Sequence, residues 1–324
     1  MKTPLATPTP TAVTVTEYKL PSANTYLGAI TSGSDGNLWV TECDANKIGR
    51  VTLTGTITEF TIPTANTCPQ IINPGPDGNL WFSETNFNKI GRITTAGVIT
   101  EFPLPPPLGT GPLNPTGIVA GPDGNIWFSH PGASVVGVMS IFGTLIASYS
   151  TPTVNAGPDL IIAGRDGNMW FAEATGPTNF IAKSTMSGTI TEFAVPTQSS
   201  NGTGGTIGGI AWGQDGNIWF TEKVVDKIGR VTPSGVMTEW AYATGTFRFM
   251  RMTTTSDGYL WIAEAGFAAP WTSEIAKMNT LGTIVAEYAI PGPASCPTAP
   301  IYCGIRGMTV GPDNNVWFTD EGND

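Results

Sequence analysis

The sequence is short of charge, and several functions fall away on that ground alone. Lysine, arginine, aspartate and glutamate together make up 12% of the 324 residues, and the balance is acidic, at −10. Fifteen basic residues make no surface for a phosphate backbone, which argues against a nucleic-acid partner. Long helices are poorly provided for, because 40 Gly and 27 Pro interrupt the chain too often. No apolar run reaches the ~18 residues of a membrane-spanning helix. Histidine occurs once, as His130, and cysteine four times, without the spacing of a zinc site. Low charge alone would also fit disorder, but 40% hydrophobic residues with ten Trp supply a real core. The class this leaves is all-β.

The start, Met1-Lys2-Thr3-Pro4, leads into no apolar stretch of a secretory signal, and Pro4 to Pro10 reads as a flexible or polyproline-II tether. Two origins stay open: a mature extracellular protein given a new start Met, or a cytosolic start. Cysteine placement and low charge together favour the first, so the chain is expected outside the cell or tethered at its surface.

What the sequence does have is a repeat. GSDGNLWVTE (33–42) returns as GPDGNLWFSE (75–84), GPDGNIWFSH (121–130), GRDGNMWFAE (164–173), GQDGNIWFTE (213–222), TSDGYLWIAE (255–264) and GPDNNVWFTD (311–320). The marker aspartates Asp35, Asp77, Asp123, Asp166, Asp215, Asp257 and Asp313 are 42 to 56 residues apart. That spacing fits a four-stranded propeller blade of ~40–50 residues. An apolar strand precedes the Asp-Gly turn, the Trp strand follows it, and a third strand reads Lys47-Ile-Gly-Arg50, Lys89-Ile-Gly-Arg92 or Lys227-Ile-Gly-Arg230. A fourth strand alternates, as in Thr56-Ile-Thr-Glu-Phe60. Trp39, Trp81, Trp127, Trp170, Trp219, Trp261 and Trp317 share one repeat position and are expected to pack between blades.

The expected fold is therefore a seven-bladed β-propeller over residues 13–324, with 1–12 as a Pro/Thr-rich tether. The seventh copy stops soon after its second strand, and Thr14-Val-Thr-Glu-Tyr18 matches the fourth strand of the other copies. The last blade is thus expected to close with strands from both ends of the chain, which removes free sheet edges. No Lys-Ile-Gly-Arg strand is left for it: either the blade is a strand short, or 1–13 improvise one, or the sequence is cut early.

The long, variable loops from second to third strand and between blades open on one face, and the working face is expected there. Cys43–Cys68 and Cys296–Cys303 are geometrically reasonable disulfides that would pin two of those loops. Glu42, Glu84, His130, Glu173, Glu222, Glu264 and Asp320 end the second strands. A repeat-encoded acid bonded to backbone or to a neighbouring Lys or Arg is a stronger reading for them than a cation ring too wide for one ion. His130 reads as hydrogen-bonded rather than catalytic. Phe247, Phe249, Trp271 and Tyr302 lie in large loops outside the repeat pattern and are candidates for a ligand or partner surface.

The tandem GPDGN-[LI]-WF-[TS]-E, NKIGR-[IV]-T and G-x-ITEF-x-[IL]-P pattern resembles the streptogramin B (virginiamycin B) lyase family over essentially the whole chain. That resemblance implies a seven-bladed propeller that opens the ester of a cyclic depsipeptide by elimination, helped by Mg²⁺. It also implies catalytic His residues in a Pro-His-[AG]-Ile context before the first strand of the last two blades. Seven residues back from the turn aspartates, those positions hold Met250 and Arg306, and an expected carboxylate falls on Gly304. Only the acid after the last Trp-Phe strand has a counterpart, Glu321, the one tentative metal ligand. The equivalent positions elsewhere are Gly28, Gln70, Thr116, Asp159 and Gly208. Met cannot take a proton, and Arg can at most stabilise an enolate oxygen. The expected function is a binding module, for a small molecule, glycan or protein, with Met250, Phe249, Trp271, Tyr302, Asp159 and Gln70 as contacts. The alternative is an enzyme, a divergent Mg²⁺-dependent lyase or a hydrolase, using Arg306, Glu321 and Asp159, with His130 in reserve; no other cofactor is expected.

Overall fold

The computed structural model describes residues 14–22, 26–106, 108, 115–174, 178–197, 207–242, 247–266, 273–290 and 304–320. Within them the repeat becomes a radial array of antiparallel sheets. The first sheet holds β1 (Leu27–Ser32), β2 (Leu38–Glu42), β3 (Lys47–Val51) and β4 (Ile57–Thr61). The second holds β5 (Pro69–Pro74), β6 (Leu80–Glu84), β7 (Lys89–Ile93) and β8 (Ile99–Pro103). The third holds β9 (Ile118–Ala120), β10 (Ile126–His130), β11 (Val135–Met139) and β12 (Leu145–Ser150), with a single 3-10 turn at Pro131–Ala133. The fourth is β13 (Pro158–Ala163), β14 (Met169–Glu173), β15 (Phe180–Ser184) and β16 (Ile190–Ala194). The fifth is β17 (Ile207–Trp212), β18 (Ile218–Glu222), β19 (Lys227–Val231) and β20 (Met237–Ala241). The sixth is β21 (Phe247–Thr254), β22 (Leu260–Gly266), β23 (Ser273–Met278) and β24 (Ile284–Ile290). A last sheet has two strands among the described residues, β25 (Ile305–Val310) and β26 (Val316–Asp320). The innermost strands pack in a ring, with β25 against both β21 and β1. This is an all-β propeller of four-stranded antiparallel blades.

The spacing of the Asp-Gly-Asn-x-Trp motif has a local cause. Gly36 takes φ +72°, the left-handed backbone that glycine adopts without penalty. Asp35 Oδ1 accepts from the Asn37 backbone N–H at 3.2 Å and from the Trp39 indole N–H at 3.1 Å. The indole bond recurs at Asp77, Asp123, Asp166, Asp215 and Asp313 over 3.0–3.1 Å. In the sixth sheet Trp261 donates to Thr255 instead. One aspartate thus closes the turn and satisfies the polar edge of a ring otherwise buried in the core.

The Trp rings build the core as expected. Trp39, Trp81, Trp127, Trp170 and Trp219 are no more than 1% exposed. Each stacks on the fourth-strand aromatic of its own sheet, as Trp39 on Phe60 at 5.8 Å and Trp219 on Trp240 at 5.1 Å. The fourth-strand ring also reaches the next blade: a Cβ at Gly97, which has φ +90°, would stand 2.1 Å from the Phe60 ring. The third-strand Arg links blades in the same direction. Arg50 lies over Trp39 and Phe60 and donates to the Thr95 carbonyl at 3.0 Å, and Arg92 likewise reaches the Ile141 carbonyl.

Tyr18 repeats this pattern across the ends of the chain. It stacks on Trp317 at 5.8 Å, and its ring would stand 2.0 Å from a Cβ at Gly55 of the first sheet. Ser22 bonds the Glu59 carboxylate, as Thr197 bonds Glu239. Residues 14–20 thus run alongside the last sheet without forming a strand in it.

Candidate functional site

The inner strands surround a central channel of about 420 Å³. At its loop-rich end the inner strands carry a bulge, where two residues face one on the second strand. The register slips between Leu27 and Ile30, Pro69 and Ile72, Pro158 and Ile161, Ile207 and Gly209, Phe249 and Met252, and Ile305 and Gly307. Bulges re-aim side chains at the rim of a barrel-like assembly. The ruler that finds Gly28, Gln70, Asp159, Gly208, Met250 and Arg306 is therefore a list of bulge positions. The third sheet has no such slip, and Thr116 lies just before β9.

Arginine dominates this mouth. Arg251, next to Met250 in the β21 bulge, donates through Nε to the Arg306 carbonyl at 2.8 Å and through Nη1 to the Gly208 carbonyl at 2.9 Å. It thereby ties three consecutive inner strands together. Burial works against its charge, the Asp159 carboxylate and Tyr26 support it, and Arg306 opposes it. The Arg306 guanidinium lies over the Tyr26 ring at 4.7 Å from the centroid. Arg251, Arg306, Asp159 and Tyr26 form one polar cluster at the channel mouth, and Arg251 and Arg306 line the channel itself. Sequence reasoning found Arg306 and Asp159 and missed Arg251 and Tyr26. The signal was there: Arg251 is one residue from a ruler position in a chain with few cations.

The other sequence candidates separate. Gln70 sits on the β5 bulge, where its backbone carbonyl accepts from Thr41 at 2.7 Å. Met250 and Phe249 lie on β21, as does Phe247, their side chains outside the described residues. Trp271, Tyr302 and Glu321 lie outside the described residues, as do Cys296 and Cys303. Cys43 and Cys68 are joined, with their Cα atoms 3.9 Å apart.

His130 is fully buried. Its Nε2 bonds Asn88 Oδ1 at 2.9 Å and its Nδ1 accepts from the Ala133 backbone N–H at 3.2 Å. Burial holds its pKa below the ordinary imidazole value. A neutral imidazole with both nitrogens engaged is a structural cap and has no reach to the channel.

The acids ending the second strands point into the blades. Glu42, Glu84, Glu173, Glu222 and Glu264 are at most 1% exposed. Glu84, Glu173, Glu222 and Glu264 lie beside fourth-strand carboxylates, and although Glu84 and Glu222 also face Lys89 and Lys227 across the strand pair, the lysines bond the outer glutamate: Lys47 bonds Glu59 at 2.5 Å, Lys89 bonds Glu101 at 3.1 Å and Lys227 bonds Glu239 at 2.7 Å. Burial, reinforced by the neighbouring glutamate, pushes Glu84, Glu222 and Glu264 up to about 8 and Glu173 up to about 9. At neutral pH they are protonated. Of the two roles expected from sequence, a backbone acceptor or a partner of Lys or Arg, the second goes in the first, second and fifth sheets to the fourth-strand glutamate, with Lys89 and Lys227 acting on Glu84 and Glu222 only through space. Among the described residues no group of three His, Cys, Asp or Glu converges to hold a metal ion.

The model of the virginiamycin B lyase family matches residues 13–324. A streptogramin B lyase of known structure is 30% identical, with a TM-score of 0.81 over 95% of this chain and 94% of that one. Virginiamycin B lyase from Staphylococcus aureus is 32% identical, with a TM-score of 0.78 over 92% of this chain and 93% of that one. A catalytically inactive variant of the S. aureus enzyme, solved with quinupristin, is 31% identical at a TM-score of 0.79, over 95% and 96% of the two chains. The extracellular domain of a putative hybrid two-component system from B. thetaiotaomicron shares the fold at 14% identity and a TM-score of 0.68, over 91% of this chain and 39% of that one. No curated protein sequence matches.

Proposed function

The chain belongs to the virginiamycin B lyase family, and on that premise we propose that it is a seven-bladed propeller whose loop-rich mouth binds a ligand or partner without lyase chemistry. The observation that carries this is the composition of the mouth. Its two functional side chains at the last two inner strands are guanidiniums, Arg251 and Arg306, beside one carboxylate, Asp159. Guanidinium groups present planar donors that suit carboxylate or carbonyl oxygens, and they do not accept a proton near neutral pH. A ligand rich in such oxygens, with an apolar body for the surrounding loops, matches this chemistry. Calorimetric titration with acylated peptides and acidic glycans tests it. Saturable binding abolished by Arg306→Ala is expected; a panel that binds equally well to both forms would defeat the assignment to this mouth.

Seven blades are supported by the seven turn motifs and the ring of inner strands, and closure by the Tyr18–Trp317 stack. An extracellular or surface-tethered setting is supported by the Cys43–Cys68 bond, which persists in oxidising compartments.

The family supports a second reading, a divergent lyase opening a cyclic depsipeptide by elimination with Mg²⁺. The described mouth does not fit that ion: two cations face one carboxylate, and hard divalent cations take several oxygen ligands. No step is routed through it. Elimination also needs a base for the proton α to the carbonyl, and neither Arg251 nor Arg306 serves as one. Turnover of a streptogramin B separates the two readings.

A further inference from the structure

The fourth residue of each second strand faces the loop-rich end of its inner strand, and its chemistry is not uniform. It is Ser or Thr in five sheets and an alanine, Ala172 or Ala263, in the fourth and sixth. Where a hydroxyl stands there, it connects neighbouring blades. Thr41 accepts from the Ala29 N–H at 2.9 Å within its own sheet and donates to the Gln70 carbonyl of the next at 2.7 Å. Thr319 accepts from the Gly307 N–H at 2.8 Å and donates to the Gly28 carbonyl at 3.0 Å. Ser129 joins the Gly117 N–H to the Asp159 carbonyl in the same way. Ser83 accepts from the Ile71 N–H at 3.2 Å, and the buried Thr221 hydroxyl has no hydrogen-bond partner among the described residues.

Alanine has no donor, so the carbonyls that follow Ala172 and Ala263 in this belt, those of Gly208 and Arg306, lose their hydroxyl. A carbonyl left bare between packed strands is costly. Those are the two carbonyls that Arg251 bonds, through Nη1 at 2.9 Å and through Nε at 2.8 Å. One side chain, from the inner strand between them, fills both gaps.

We propose that Arg251 is a positioning residue of the mouth, its guanidinium standing in for the hydroxyls that positions 172 and 263 lack. A planar fork of donors reaches back to the fifth sheet and forward to the last, which no single hydroxyl spans. It fixes the backbone of Arg306, whose own guanidinium lies over Tyr26. Arg251 thus acts on a ligand through Arg306, a step that rests on the ligand-binding reading of the mouth.

The test is a stability cycle on the intact chain, read by urea midpoint: Arg251→Met, the pair Ala172→Ser and Ala263→Ser, and all three together. Arg251→Met should lower the midpoint, and the two serines should return about half of the loss or more. With Arg251 present the same serines should give no gain, because both carbonyls already have a donor. Serines that restore nothing, or that raise the midpoint equally in both backgrounds, would overturn the proposal. The native chain offers a reading that needs no substitution. The Arg251 Nε–H, held on a carbonyl, should exchange at least ~10-fold more slowly than that of exposed Arg165, and equal exchange would also overturn it. Titration with acylated peptides and acidic glycans reads the last step. The triple variant should bind as the native chain does; a rescued fold without rescued binding would set Arg251 against the ligand itself and end the positioning role. A native chain that binds none of these probes defeats the binding reading, and the stability cycle still decides the hydroxyl replacement.

Discussion

Arg251 is the residue on which the mouth of the channel depends. Its two carbonyl bonds join β17, β21 and β25, and bonds from a charged donor are worth ~1.5–3 kcal/mol each. Arg251→Met is expected to destabilise the protein by about 3 kcal/mol or more in chemical denaturation. An unchanged denaturation midpoint would show that the carbonyl bonds are not what matters. The buried glutamates make a second residue-scale prediction. A carboxyl held neutral in the fold keeps its proton where the unfolded chain has released it. Its stabilisation is complete below the ordinary value of 4.5 and is lost as pH climbs through about 8 for Glu84, Glu222 and Glu264, and about 9 for Glu173. Glu59, Glu101 and Glu239 act oppositely. Burial raises them, but bonds from Lys and Ser or Thr outweigh it and hold them low, so their contribution is lost as pH falls through the acid range. The urea midpoint should therefore peak in mildly acid solution and decline toward pH 9, and Glu173→Gln should flatten that decline. A midpoint that rises from pH 6 to 9 would contradict the neutral carboxyls.

At the scale of elements, the repeat was legible in detail because each motif residue has one job that recurs. Asp35, Gly36 and Trp39 encode a turn and its indole bond, and Lys89-Ile-Gly-Arg92 encodes an ion pair, a core residue, a ring contact and a link to the next blade. What sequence did not give was partner choice. The register sets Lys89 opposite Glu84 and Gly91 opposite Glu101, yet the Lys89 ammonium bonds Glu101 diagonally and leaves Glu84 protonated. The site was legible as a set of positions, from the seven-residue ruler, but not as a geometry, because a bulge exposes either of two residues. Arg251 was lost in that ambiguity. Two tests belong here. Gly91→Val, which drives a side chain into the Phe82 ring, should cost at least ~2 kcal/mol by overpacking. Reducing Cys43–Cys68, which closes a separation of 25 residues, should cost ~3 kcal/mol by releasing the unfolded chain. Thermal melts with and without reductant measure the second, and an unchanged melting point would show that the bond does not form in solution.

At the scale of the whole molecule the inner strands pack in a ring, and Tyr18 stacks on Trp317 of the last sheet. Tyr18 is 38% exposed, so Tyr18→Ala should cost about 1–2 kcal/mol, less than a core aromatic. Loss of protection at 14–20 should accompany it. The same scaffold that fixes the strands also presents, at the last two inner strands, side chains that hold their protons. The measurement that tests this most directly is incubation of the protein with a streptogramin B and Mg²⁺, followed by chromatography and fragment-ion analysis. Elimination keeps the mass of the antibiotic while opening its ring, so separation by retention is essential. The cyclic antibiotic should be recovered intact at long times. A linear elimination product, formed by the native protein and absent with Arg306→Ala, would contradict the account.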